Sequence, residues 1–201
     1  MQDNGIIFYR RFLNGDERGL EQLIALYQRG LLRFLYGYVH DVGLAEDILT
    51  DVFMTLYYKR SFKEQDDASL KTYIYKIARN KALNAIKKRD RKKEVSYEEL
   101  LEKGGDSALD ETAKAFLFGD SFSPEHTLEK QERALAIDKA LLSIKKEYRE
   151  TLQLRYFDDL SPEEIAVITK KSIKQVYNLL SRGKAALKEQ LLAGGIPYEN
   201  F

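Results

Sequence analysis

Two helix-start signatures, one at Ser161 and one at Ser172, limit what this chain can fold into more than any other feature. In Ser161-Pro162-Glu163-Glu164, Ser161 can cap a helix, Pro162 suits its first turn, and Glu164 can reach back to close a capping box. Ser172-Ile173-Lys174-Gln175 repeats the arrangement, with Gln175 in the glutamate position. The interval leaves room for a short helix striped by Ile165 and Ile168, then a turn of about three residues. This is helix-turn-helix spacing.

The second helix sorts into two faces at about 100° per residue. Ile173, Val176, Leu180, Gly183 and Leu187 gather on one side. Lys174, Asn178, Ser181, Arg182 and Ala185 gather on the other, with Gln175 and Tyr177 at its margins. Gln and Asn can pair with adenine, Arg with guanine, and Lys with guanine or phosphate. Small Ser181 and Ala185 would let the helix lie deep in a groove. The same pattern also suits a solvated bundle helix, and Tyr177 could simply pack on the preceding helix. What favours DNA is charge: between Glu164 and Glu189 there is no acid, while Lys170, Lys171, Lys174, Arg182, Lys184 and Lys188 fall inside.

Segregation matters because the whole chain carries a formal net charge of only +1. A second basic block runs from Arg79 to Lys93, with Asp90 as its one acid. From Glu94 to Glu129 the balance inverts, with Glu98, Glu99, Glu102, Asp106, Asp110, Glu111, Asp120 and Glu125 against Lys103 and Lys114. Gly104-Gly105 and Ser123-Pro124 mark that acidic stretch as a linker.

The rest reads as helices. Leu20, Leu23, Ile24 and Tyr27 follow helical spacing over about 17–27. A second pattern uses Leu31, Phe34, Leu35 and Tyr38, and a third runs from about Leu44 through Ile48, Leu49, Val52, Phe53, Leu56 and Tyr57. Ser69 caps a long helix that ends in the basic cluster, with Leu70, Tyr73, Ile74, Ile77 and Ala78 facing inward. A short helical turn fits 97–101. Further helices are expected over about 124–144 and 147–157. The expected fold is all-α: two small helical domains on a flexible acidic linker, with residues 1–93 as the first domain, 94–123 as the linker, 124–193 as the second domain and 194–201 as a tail. The mutual arrangement of the domains stays open.

The chemistry of catalysis is missing from this pattern. There is no cysteine, only His40 and His126, and no glycine-rich phosphate loop or spaced metal-ligand set. The reading is a non-enzyme with no cofactor and no metal. No apolar run approaches the roughly 20 residues that span a bilayer. The N-terminus lacks a secretion signal, so the cytoplasm is the expected location.

The stretch "YRETLQLRYFDDLSPEEIAVI…SIKQVYNLLSRGKAALKEQL" resembles region 4 of the extracytoplasmic-function (ECF) sigma factors, the small sigma-70-family subunits of bacterial RNA polymerase. "LAEDILTDVFMTLY" and "SLKTYIYKIARNKALNAIKKR" resemble two helices of their region 2. The resemblance implies a protein that binds core RNA polymerase, through the beta-prime clamp and the beta flap, and directs promoter recognition. Region 4 would read the minus-thirty-five element in the major groove with Lys174, Gln175, Tyr177, Asn178, Ser181 and Arg182. Arg155 and Lys184 would touch the backbone there, and Lys87, Lys88 and Arg89 would do so near the minus-ten element. Phe62, Lys63, Tyr75, Lys76, Arg79, Asn80 and Lys81 would line the path of the melted strand. Glu46, Asp47, Thr50 and Asp51 would form an acidic face toward the polymerase; an acidic first turn that only complements the helix dipole is the plainer alternative. An anti-sigma factor is an implied partner. Two rivals remain: a stand-alone helix-turn-helix regulator, and a sigma-like adapter that sequesters an anti-sigma factor.

Overall fold

The computed structural model describes residues 4–60, 62, 69–95 and 128–195, and among them every regular element is a helix. The order is α1 (Gly5–Leu13), α2 (Arg18–Val39), α3 (Val42–Lys59), α4 (Leu70–Val95), α5 (Leu128–Ser143), α6 (Lys146–Tyr156), α7 (Pro162–Thr169) and α8 (Ile173–Ala193). The all-α class is as expected. The turn anticipated over 97–101 and the linker lie outside the described residues.

Helix α3 starts where Asp41 accepts a hydrogen bond from the Leu44 N–H, and α2 ends with His40 in the left-handed region at φ 53°. The two apolar patterns over 17–38 are one continuous helix, with Gly30 inside it. Helix α1 was not anticipated. It has no side-chain cap and holds its place by burying Tyr9 and Phe12. Phe12 stacks at a tilt on Tyr57, which is therefore half out of the core rather than inside it.

One continuous core joins the two halves of the chain. Leu31, Phe34, Leu35, Ile74 and Ala78 from the N-terminal helices belong to the same buried cluster as Leu152, Leu154, Ile165, Ile168 and Val176. The question of arrangement is thereby answered for this conformation: α6 and α7 pack directly on α2 and α4.

Glycine makes that approach possible. A Cβ on Gly30 would lie 2.7 Å from the Tyr75 hydroxyl and 2.8 Å from Asp158 Oδ1. A Cβ on Gly37 would lie 3.3 Å from the Gln153 side chain. Both glycines sit on α2 where the C-terminal half meets it.

Candidate nucleic-acid interface

The helix-turn-helix is built as its caps require. Ser161 accepts from the Glu164 N–H at 3.2 Å while Glu164 accepts from the Ser161 N–H at 2.9 Å. Ser172 and Gln175 form the same reciprocal pair at 3.2 and 2.8 Å. The turn is closed by Lys170 in the left-handed region, φ 57°, and its neighbour Lys171 reaches Glu147 at 2.7 Å. Gly183 lets α8 settle against Leu152 and Tyr148 of α6. Helix α8 buries Val176, Leu180 and Gly183, and its outer face holds Lys174, Gln175, Tyr177, Asn178, Ser181, Arg182 and Ala185, all exposed. Ile173 departs from the expected buried stripe and is 44% exposed, because it lies in the first turn, beyond the edge of the packing surface. The carbonyl of Gln175 is engaged in the cap, which fixes where that side chain points.

Arg155 and Lys184 have structural partners. Arg155 donates to the Leu160 carbonyl at 3.1 Å, tying down the α6–α7 turn. The Lys184 ammonium lies 5.1 Å from the centre of the Tyr156 ring.

Helix α4 carries the second set of candidates. Lys76, Lys87, Lys88 and Arg89 are exposed, while Asn80 and Lys81 are half-buried. Arg89 also donates to the Val39 carbonyl at 3.1 Å. Lys81, Lys88 and Arg89 line a groove with Asp47, Thr50 and Asp51 of α3, and Lys81 pairs with Asp51 at 3.6 Å. Glu46, Asp47, Thr50 and Asp51 are all exposed, so the acidic α3 face and the basic α4 face border the same open groove.

Two candidates for the melted-strand path are core side chains here. Phe62 is buried, edge-on to Tyr9 and tilted against Tyr73. Tyr75 is 1% exposed and donates to Asp158 at 2.6 Å. Their aromatic rings fill space between helices rather than offer a stacking platform. Lys63 lies outside the described residues.

Sequence reasoning gave no hint of a polar seam between the halves. Glu150 of α6 accepts from Arg79 at 2.6 Å and from the Tyr38 hydroxyl. Glu164 accepts from Ser69 at 2.6 Å and from Thr72 at 2.9 Å. Lys71 donates to the Asp158 carbonyl, and Arg149 donates to the Gly37 carbonyl at 2.8 Å. Burial pushes the Asp158 carboxyl up to about 7, against the pull of the Tyr75 hydroxyl and of the Lys71 and Arg33 charges. Burial also raises Asp138 to about 7, with Arg33 opposing. Burial works against the Glu164 carboxylate as well, yet hydrogen bonds from Ser69, the Ser161 N–H and Thr72 hold it below its ordinary value. Burial, Glu150 charge and the Glu150 hydrogen bond raise the Tyr38 phenol far above its usual range. The signal that could have revealed the seam is Gly30 and Gly37, seven residues apart in a helix where each costs about 1 kcal/mol relative to alanine.

An all-α chain that presents a doubly capped helix-turn-helix, with an exposed Lys-Asn-Ser-Arg face, is a DNA-binding protein of the helix-turn-helix class. Residues 23–92 match sigma-70 region 2, and residues 134–187 match sigma-70 region 4. The chain belongs to the sigma-70 family, in its ECF group, and is a sigma factor directing transcription initiation. Similar proteins include the RNA polymerase sigma-H factor of Pseudomonas aeruginosa, 27% identical over 193 residues and matched over 94% of each chain. The ECF RNA polymerase sigma factor SigW of Bacillus subtilis is 28% identical, over 88% of this chain and 91% of its own. In fold, the chain is similar to the sigma factor RpoE in its complex with the anti-sigma factor NepR from Bartonella quintana, with a TM-score of 0.65 at 23% identity over 85% of this chain and 95% of that one. The family regulates transcription rather than catalysing a reaction. Among the described residues, no helix is long and apolar enough to cross a membrane, and no group of residues could hold a metal.

Proposed function

We propose that residues 1–93 bind the beta-prime clamp of core RNA polymerase and engage the minus-ten element, and that residues 124–193 bind the beta flap and read the minus-thirty-five element. The observation that carries this is the exposed face of α8, where Lys174, Asn178, Ser181 and Arg182 project from a helix that Ser172 caps and Gly183 seats. Arg182 and Asn178 supply base-edge contacts, whereas Lys174 supplies charge. The exposed Lys87, Lys88 and Arg89 hold duplex phosphates near the minus-ten element, and Glu46, Asp47, Thr50 and Asp51 face the polymerase. Residues 94–123 tether the halves. The chain itself is not an enzyme, acts in the cytoplasm beside the polymerase, and is restrained by an anti-sigma factor, as the similar RpoE is seen with NepR.

Run-off transcription with purified core polymerase and random promoter DNA tests the reading. The chain is expected to direct initiation from a defined subset of templates. Arg182→Ala should weaken use of the upstream element by about 5- to 150-fold, equivalent to a base contact of about 1–3 kcal/mol. Lys174→Ala should instead alter the salt dependence of binding, with its slope changing by about one unit. Unaltered promoter use by both variants would mean that this face of α8 does not read the upstream element, and no initiation at all would reject the function.

A further inference from the structure

The cap that opens α8 occupies one end of a side chain on its exposed face. Gln175 is exposed in the first turn of the helix, three residues after Ser172. Its Oε1 accepts from the Ser172 N–H at 2.8 Å, while its backbone N–H donates to the Ser172 hydroxyl at 3.2 Å. A backbone N–H can be met only by the oxygen end of an amide, so the cap settles which way the group is turned. The Nε2 amine, with its two N–H donors, is the end left over for DNA. Asn178 is exposed three residues further on and takes no part in the cap.

We propose that Gln175 makes a donor-only contact with the upstream element, and so selects guanine there rather than the adenine that an unrestrained glutamine reads. The inference rests on the function proposed above and assigns the specificity of one residue in it. An unrestrained glutamine meets adenine with both ends of its amide, accepting from N6–H and donating to N7. Here the oxygen is turned back to the Ser172 N–H and cannot also lie along a base edge in front of the helix. The cap and adenine therefore compete for one atom. Two donors on one nitrogen match the neighbouring N7 and O6 acceptors of guanine. Adenine offers N7 alone and sets its own amine against that of Gln175, and cytosine offers only an amine. The position suits such a reading, because the N-terminal residues of a recognition helix are those that reach base edges. The two amides of the face thus differ: Asn178 keeps both ends for adenine, whereas Gln175 does not.

The test is initiation by the full chain on core polymerase, from a promoter library randomised across the upstream element, each promoter linked to a barcode in its transcript. Base preferences are ratios within one variant, so a change in overall affinity cancels. Gln175→Ala should flatten the preference at one position, which locates the contact. The parent should favour guanine over adenine there by about tenfold, the size of a single good base contact. Gln175→Glu keeps the capping box, in which glutamate is a usual partner, but leaves an acceptor for DNA. Its preference should move from guanine to a base with an exocyclic amine, cytosine or adenine. Ser172→Pro removes the N–H that holds the oxygen, at a φ of −72° that proline adopts. Its preference should move from guanine to adenine. Adenine favoured by the parent at that position, guanine retained by Gln175→Glu or by Ser172→Pro, or a profile that Gln175→Ala leaves unaltered overturns the proposal. If Ser172→Pro does not initiate, the glutamate variant decides. A parent that initiates on no template rejects the proposed function and this inference with it, whereas unmoved preferences in chains that do initiate reject the inference alone.

Discussion

Lys170 holds the turn of the helix-turn-helix in a conformation that side chains with a Cβ adopt reluctantly, at φ 57°. Its N–H bonds back to the Ala166 carbonyl, so the strained geometry is also the one that ends α7. Lys170→Gly should relieve this and stabilise the chain by up to about 1 kcal/mol, raising the thermal midpoint by about 2–4 °C for a protein of this size. A lower midpoint would mean the exposed lysine contributes more than its backbone costs. Single residues were read from sequence best where their partners are near in the chain. Ser161 and Ser172 each bond three residues ahead, and both capping boxes formed as expected. Tyr75 and Phe62 could not be placed this way. What buries Tyr75 is Asp158, 83 residues away, and what covers Phe62 includes Tyr9, from a helix the sequence did not announce.

Helix pairing sets how the seam responds to pH. Asp158 lies in the α6–α7 turn and faces Tyr75 and Lys71 of α4 and Arg33 of α2, with its carboxyl raised by burial to about 7. A raised carboxyl binds its proton in the closed chain at pH values where the opened or unfolded chain has released it. Its contribution is therefore present at low pH and lost progressively as pH rises from its ordinary value to about 7, with no further change above. Asp138 of α5 acts in the same direction. His40 acts in the opposite one, since burial and the charges of Arg149, Arg89 and Lys146 lower its pKa. Glu164, held below its ordinary value, loses its contribution only in more acidic solution, as pH falls through that lowered pKa. The difference between the parent and Asp158→Asn isolates one group. Chemical denaturation from pH 5 to pH 8 should show the parent losing stability relative to the variant up to about pH 7, by at most about 1.4 kcal/mol per pH unit, and then running parallel. A difference that does not vary with pH would mean Asp158 is not buried at the seam. Amphipathic helices were legible because α3, α4, α6, α7 and α8 each carry their pattern locally. The continuity of α2 through Gly30 was not, because the reason for a glycine there is the carboxylate that packs beside it.

Under the proposed function, the whole chain has to meet two geometric demands that conflict. Elements centred near minus ten and minus thirty-five lie about 25 base pairs apart, or roughly 85 Å at about 3.4 Å per step. A compact chain of this length has a radius of gyration of only about 16 Å, so the closed form cannot hold both at once. Residues 96–127 can span roughly 100 Å when extended, enough to let the halves part without breaking either. Net charge of +1 hides this segregation, because the basic blocks on α4 and α8 are offset by acids elsewhere in the chain, Glu150 against Arg79 among them. The all-α class and the exposed polar face of α8 were legible in sequence; the closed arrangement was not, since it depends on side chains that pair between the two halves. Because the chain has no cysteine, Gln28→Cys with Glu189→Cys, both at exposed positions, gives two unique labelling sites on opposite halves. Pulsed electron–electron distance measurement between them is the most direct test. The account predicts one narrow, short distance for the free chain and a shift of tens of ångströms outward on core polymerase with promoter DNA. The same short distance in a complex that is actively initiating would contradict it.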